Sequence, residues 1–347
     1  MQRRQLLQGA AALPLLTLPA AALDAGPITP GAAPDPRVRL PRVRPGDAGW
    51  PSASSWQKLK DAVGGNLLEV QPLFEPCRLQ SNGAACRDVL ANLRNPFYIS
   101  DQPAGTEVSG WLDAWTPGAS VYALKARNTA DVVAGVNFAR EKRLRLVVKG
   151  TGHSYQGTSN AADSLLIWTH GMNRVTLHEA FVGSGCEGKA VAVPAVTAEA
   201  GAMWIDLYQA VTNNKGLAGS TPEALAAARD TATNPAVTEA FALAIIADGE
   251  GAAYPGMARG AVDLEAARRD AHAIDRAIAE LRRVAPQPGS YVSESNYFNS
   301  QWQQAFWGGN YPRLRSIKDR YDPEGLFFVH HGVGSEDWSA DGFTRLS

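Results

Sequence analysis

A surplus of charge of either sign is missing from this sequence: 33 Lys and Arg stand against 34 Asp and Glu in 347 residues, a formal net charge of −1. Without a basic or acidic footprint a polyanionic partner is excluded, so neither nucleic acid nor an anionic membrane surface is expected to bind. Long apolar runs are absent too. After the N-terminal segment nothing approaches the ~18 uninterrupted apolar residues of a membrane span, so no transmembrane helix is expected there. No segment recurs at a period of roughly 20–50 residues, which excludes a solenoid or propeller. Cysteine is scarce, three in all. What is present is an apolar fraction of 45%, ample glycine (33) and proline (22), and nine tryptophans. That composition excludes disorder and collagen and points to a compact, loop-rich mixed fold of about two domains' length.

The N-terminus reads as an address. Met1–Ala22 carries a twin arginine (Arg3, Arg4), a short apolar core over Leu13–Leu18 broken by Pro14 and Pro19, and small residues suited to a signal peptidase. It resembles a Tat-type export signal, which implies a cleaved segment and a periplasmic or secreted destination. The alternative is a membrane anchor, for which the core is too short. Tat export handles proteins that fold before translocation, often around a cofactor, so the resemblance also implies a cofactor. Residues 23–51, rich in proline with alternating Arg-Val, read as an extended, poorly packed linker. Cys77 and Cys86 are nine positions apart around a Ser-Asn-Gly turn. A disulfide fits an oxidising compartment, two separate buried thiols being the alternative. Cys186 is left over in a Gly-rich loop and nothing beside it marks a nucleophile.

The pattern predicts a helix over 55–63, a strand over 120–126, a helix over 131–143 behind an Asn128-Thr129 cap, and a β-branched strand over 144–148. Short strands follow at 165–169 and 175–178, a longer one at 190–200, and a helix at 203–213. From 217 the text turns alanine-rich. Helical segments are predicted at 223–229 and 236–247. Leu264, Ala267, Ala271, Ile274, Ile278 and Leu281 trace one face of a long helix, expected to pack into a core.

The strand ending at Lys149 empties into KGTGHSYQGTS, with glycines at 150, 152 and 157. Alternate glycines let main-chain N–H groups converge on an anion, and Lys149 and Thr151 can add charge and a hydroxyl donor. The loop lacks the Gly-x-Gly-x-x-Gly of a dinucleotide fold and the Gly-Lys-Ser/Thr of a P-loop, so a plain turn remains the alternative. His153 inside it is the residue with chemistry, against the default of a solvated loop histidine. His330-His331 suggest a metal only weakly, because adjacent strand residues point to opposite faces and no third ligand is near.

The string LRLVVKGTGHSYQGTSNAADSLLIWT, with the strand and helix before it, resembles the diphosphate-binding region of FAD-linked oxidases of the PCMH type. SYVSESNYFNSQWQQAFWGGNYPRLRSIKDRYDPEGLFF resembles the terminal module of their berberine bridge enzyme-like branch, through Trp-Gly-x-Asn-Tyr-x-Arg-Leu and Tyr-Asp-Pro. The resemblance implies an α+β protein: a PCMH-type FAD-binding domain over 52–216 and a helical, berberine-bridge-like segment over 217–347. It also implies FAD bound covalently through His153. Lys149, Gly150, Thr151, Gly152 and Ser154 would form the diphosphate cradle, with Ser159 further along the loop, and Asn310 and Tyr311 would return to the flavin.

The sequence departs from this family after Leu217. The second glycine-rich FAD segment, its cysteine, and the sheet of the substrate domain are untraceable, as if an internal block were lost. The catalytic base is then untraceable as well, and Tyr297 and Tyr311 are the remaining candidates, provided a neighbour lowers a phenol's pKa. The expected function is an exported FAD-dependent oxidoreductase that passes a hydride from an alcohol-type small substrate to flavin, with dioxygen or another acceptor taking the electrons. Its activity as an enzyme is left open by the missing block. The alternatives are a non-catalytic remnant that binds FAD weakly, and a periplasmic binding protein without flavin.

Overall fold

The computed structural model describes residues 41–212, 231–249, 251–255, 257, 263–286 and 288–346. The export signal and the predicted helix at 223–229 lie outside them. Among the described residues no helix is long and apolar enough to cross a membrane.

The centre is a four-stranded sheet in the order β1 (Leu67–Glu69), β2 (Tyr122–Lys125), β4 (Ser164–Trp168), β3 (Arg145–Lys149). β1 runs antiparallel to β2, whereas β2, β4 and β3 are mutually parallel, with Lys125 and Lys149 both in register with Trp168. Three strands therefore end on one edge, where loops of parallel sheets carry ligands. The period-two alternation sends Leu124, Leu146, Leu165 and Ile167 to one face, against Trp56 and Leu59 of α1 (Ala53–Ala62) and Ala139 of α5 (Thr129–Glu141). Ala123, Val147, Leu166 and Trp168 go to the other face with Val70, Ala104 and Ala161. Because both faces are covered, β4 is buried throughout its length and carries the continuous apolar run SLLIW.

Helix α5 starts where the sequence predicts. Asn128 Oδ1 accepts from the Asp131 amide at 2.9 Å, and Asp131 Oδ2 accepts from the Arg127 amide at 2.9 Å. Between α1 and β2 lie three short helices, α2 (Glu75–Leu79), α3 (Ala84–Asn92) and α4 (Pro96–Ser100), and Cys77 of α2 is disulfide-bonded to Cys86 of α3. Beyond the sheet, β5 (Val175–Phe181) and β6 (Val193–Ala198) form an antiparallel pair that α6 (Trp204–Thr212) covers. The C-terminal part adds α7 (Leu264–Val284), α8 (Trp302–Trp307) and α9 (Tyr311–Tyr321).

The structure corrects four expectations. Residues 41–51, read as part of a poorly packed linker, are anchored at points, with 45–49 exposed: Arg42, Val43 and Pro51 are buried, and Val43 bridges Leu144. The cause is the far end of the chain, where the Arg42 guanidinium lies 4.2 Å from the Trp338 ring centroid and donates to the Gly325 carbonyl. The helix predicted over 236–247 is a single 3-10 turn, Pro235–Thr238, followed by chain without regular structure on which Phe241, Leu243 and Ile245 are exposed. Asn234 at the cap donates to the Ala305 carbonyl and accepts from the Ala236 amide, and among the described residues no apolar surface covers Phe241, Leu243 and Ile245. Helix α7 forms as predicted but has no buried residue, so its stripe is not core, and Leu264, Leu281 and Val284 stand exposed. Its regular structure rests on the Asp263 cap and on a two-pronged Arg268–Asp113 ion pair. His330 and His331 occupy a turn, His331 at φ +55°, and their rings stack at 3.7 Å instead of pointing apart.

The α5 cap yields a simple test of the strand-helix-strand unit. Asn128 is exposed, so Asn128→Ala removes little beyond the cap, and it should lower stability by about 1 kcal/mol. Urea denaturation should show a lower midpoint at unchanged slope.

Candidate functional site

The site begins beneath the glycine loop. Lys149 ends β3 with its side chain buried, and its Nζ donates to the carbonyls of Gln102 (3.1 Å), Pro103 (2.8 Å) and Gly105 (3.1 Å). Asn160 Nδ2, at the far end of the loop, donates to two of the same carbonyls, Pro103 and Gly105. Tyr254 donates its hydroxyl to the next carbonyl, that of Thr106. This corrects the expectation that Lys149 lends charge to an anion, since the ammonium is spent on the 102–105 segment. Burial pushes its pKa down to about 7.

Above that anchor the loop is shaped by its own side chains. Ser154 Oγ accepts from the amides of Gln156 (3.2 Å) and Thr158 (3.3 Å) and lies 2.7 Å from Thr158 Oγ1. Gly152 (φ +91°) and Gly157 (φ +69°) adopt the left-handed backbone that glycine tolerates. Any side chain at Gly157 would also strike the Trp115 ring, whose Nε1 donates to the Tyr155 carbonyl at 3.2 Å. Among the described residues no acceptor faces the amides of Thr151, Gly152 and His153. The buried Oγ of Ser159 and the side-chain carbonyls of Gln156 and Asn160 likewise have no partner. Three consecutive amides without a protein acceptor, with the Ser159 hydroxyl near Gly152, are main-chain donors of the kind that hold an anion.

His153 is half-exposed at the mouth of this loop. Its Nδ1 lies 2.6 Å from Glu107 Oε2 and its Nε2 3.0 Å from Glu294 Oε1. Burial raises the Glu107 carboxyl above its ordinary range and the Glu294 charge raises it further, while His153 and the Ser154 amide oppose the shift. Burial and both carboxylates push the Tyr155 phenol up. Glu294 arrives on the C-terminal segment, which is clamped to the loop by Tyr155 N donating to the Ser293 carbonyl (2.8 Å) and Gln156 Nε2 to the Ser295 carbonyl (3.3 Å). Tyr291 stacks on the imidazole at 5.9 Å.

Gly150, Thr151, Gly152, His153, Ser154 and Ser159 lie in the loop after β3, and Lys149 ends the strand with its side chain turned away beneath them. The two tyrosines proposed as bases are held elsewhere. Tyr297 stacks on His330 at 3.7 Å beside Arg145, and burial raises its pKa. Tyr311 donates to Glu336, and burial together with that bond raises its pKa far above the phenol range. This corrects the expectation of a phenol poised to take a proton: burial outweighs the lowering effect of Arg145 at Tyr297, and at Tyr311 burial and the Glu336 bond outweigh the Gly334 amide and Arg315. Asn310 donates to the Thr231 carbonyl at 3.0 Å. Glu107 and Glu294 escape a reading of the sequence: they lie 46 and 141 residues from His153 in ordinary contexts. Only the SYVSES string, already part of a recognised module, hints at Glu294. Among the described residues no group of three or more His, Cys, Asp or Glu forms a metal cluster.

Comparison with known proteins matches the FAD-binding domain model to residues 121–229 and the berberine and berberine-like model to residues 289–334. The FAD-linked oxidoreductase malF of Malbranchea aurantiaca is 31% identical over 199 residues, 52% of this chain and 34% of that protein. The FAD-linked oxidoreductase patO of Penicillium expansum is 34% identical over 148 residues, 39% of this chain and 26% of that protein. The chain spans about a third of the length of the curated relatives it matches. A VAO-type flavoprotein of Myceliophthora thermophila superposes with a TM-score of 0.45 at 22% identity, over 52% of this chain and 35% of that chain.

The Lys149 anchor predicts a pH dependence. Between about 7 and the ordinary lysine value of 10.5 the unfolded chain holds a proton that the folded chain releases, so this group's contribution to stability rises with pH across that window. Lys149→Met should abolish the rise and take one donor from each of the carbonyls of Gln102, Pro103 and Gly105, which keep the Gly105 amide or Asn160, at a cost of about 1 kcal/mol near pH 7. Denaturation of both proteins from pH 7 to 10 checks this, since their difference cancels the other titrating groups.

Proposed function

We propose, from the premise that this chain is a berberine-bridge-like member of the FAD-linked oxidoreductases with a PCMH-type FAD-binding domain, that its glycine loop holds the FAD diphosphate and His153 bonds covalently to the flavin. The observation that carries this reading is the row of unpaired amides at Thr151, Gly152 and His153, closed at one end by the histidine. The residues present fit the group. Main-chain donors and the Ser159 hydroxyl suit the diphosphate, and the carboxylates Glu107 and Glu294 would repel a phosphate from the His153 end, leaving that end to the uncharged ring system. When bound, the flavin supplies two-electron chemistry, accepting a hydride from a substrate C–H bond. The loop's part is to fix the cofactor, through the Gly152 and Gly157 turns and the Trp115 floor, and the 291–295 segment restricts water at its mouth. The substrate we propose is an alcohol-type small molecule, with dioxygen or another acceptor removing the electrons.

A second reading, a chain that binds FAD incompletely and turns over poorly, is favoured by one observation. Phe241, Leu243 and Ile245 are exposed where a folded substrate domain would cover such residues. The raised phenol pKa values of Tyr297 and Tyr311 agree with it, as neither supplies a base. A binding protein without flavin is set aside by the FAD-binding match.

Three outcomes are expected. His153→Ala should carry no flavin after acid precipitation while still binding FAD reversibly, and acid-stable flavin in that variant would sink the assignment. The intact chain should show a flavin-to-protein ratio below one and slow hydrogen peroxide production across a panel of sugars and secondary alcohols, whereas full occupancy with rapid turnover would overturn the second reading. Export through the twin arginine is part of the same proposal. Replacing Arg3 and Arg4 by Lys should retain the protein in the cytoplasm, and unchanged periplasmic yield would argue for another route.

A further inference from the structure

We propose that Glu107 and Glu294 are positioning residues, one from each part of the molecule, that orient the His153 ring. The inference rests on the reading of His153 as the attachment point, and it concerns the ring before any bond is made. Both nitrogens of one imidazole are engaged by carboxylates, Nδ1 by Glu107 at 2.6 Å and Nε2 by Glu294 at 3.0 Å. A ring held at both ends cannot rotate about its Cβ–Cγ bond without losing both contacts. If only one were present, the ring could turn about that contact and present either face to the loop.

Neither carboxylate is there by accident of a flexible chain. Glu107 follows the segment that Lys149, Asn160 and Tyr254 pin. Glu294 closes a 3-10 turn, Val292–Glu294, and is flanked by the two clamps from Tyr155 and Gln156. The ring itself is stacked by Tyr291 and edged by Tyr155, both at 5.9 Å. Stability alone does not account for so much fixing. The three side chains remain 23–39% exposed, and ion pairs of that exposure contribute at most about 1 kcal/mol each. Orientation is a different matter, because a misplacement of ~1 Å at a reacting group slows it about a hundredfold. The arrangement also makes the C-terminal segment part of the cofactor site, since one of the two contacts on the ring comes from residue 294.

The test uses the full chain produced under riboflavin limitation and mixed with FAD, in wild type and in Glu107→Gln, Glu294→Gln, Glu107→Asp and Glu294→Asp variants. Reversible FAD affinity is measured first for each variant, and attachment is then followed at saturating FAD, so that a change in affinity does not enter the rate. The rate of acid-stable flavin formation should fall about tenfold or more in each Gln variant and recover in part in the matching Asp variant. Wild-type rates in both Gln variants would overturn the proposal. Ring ¹⁵N NMR signals of His153, recorded without FAD, give a readout independent of attachment. Glu107→Gln should shift Nδ1 chiefly, and Glu294→Gln should shift Nε2 chiefly. If wild type forms no acid-stable flavin, the attachment reading fails, and the pair is then judged by those signals, with unshifted nitrogens in both variants overturning it.

Discussion

A single buried ammonium underlies the geometry of the site. Lys149 closes the edge strand of the parallel sheet and, instead of reaching out to a ligand, turns inward to three carbonyls of the 102–105 segment. Desolvating a lysine is costly, and only a full set of acceptors makes the position tolerable. That requirement brings a segment more than forty residues away under the glycine loop and hands the next residues their places. Thr106 receives the Tyr254 hydroxyl, and Glu107 emerges at the mouth beside His153. Asn160 ties the far end of the loop to two of the same carbonyls, so the loop is fixed at both ends and its middle, Thr151 to His153, has no acceptor for its amides among the described residues.

The second constraint comes from the C-terminal segment. The outer edge of β3 would present unpaired main-chain groups, and it is met instead by Phe327 in a parallel bridge with Leu146 and by Val43 bridging Leu144 just ahead of the strand. Arg42 and Arg145 sit among the rings of Phe328, Trp338 and Phe343, which fastens the two ends of the described chain to one sheet edge. From that footing the 291–295 segment reaches across the glycine loop. The two regions that match separate family models thus meet where Glu294 of one contacts His153 of the other, while the second carboxylate, Glu107, precedes both matched regions.

Much of the fold was legible because its signals are local. The cap at Asn128, the alternation of Leu124, Leu146, Leu165 and Ile167, and the continuous run of β4 each depend on neighbours within a few residues. The cysteine pair, nine residues apart around a turn, is of the same kind. Failures came where a local pattern needed a partner to become structure. The stripe of α7 has helical spacing, yet burial requires an opposing surface, and none of its residues is buried. Residues 236–247 have helix-forming composition, but an isolated short helix gains too little without packing, and Asn234 commits its start to a different turn. The phenols failed for an electrostatic reason: Tyr311 faces the carboxylate of Glu336, and burial acts on both rings.

The sequence by itself determined the strand-helix-strand unit, the glycine loop at its end, the histidine within that loop and the order of the two modules. These are set by residue type and by spacing along the chain. Only the tertiary structure decided that Lys149 faces inward, that the loop's middle amides are free, and that Glu107 and Glu294 grip His153 from opposite sides. Those facts depend on which main-chain carbonyls and carboxylates come within about 3 Å of one another across separations of 46 and 141 residues, and a one-dimensional pattern holds no record of such distances.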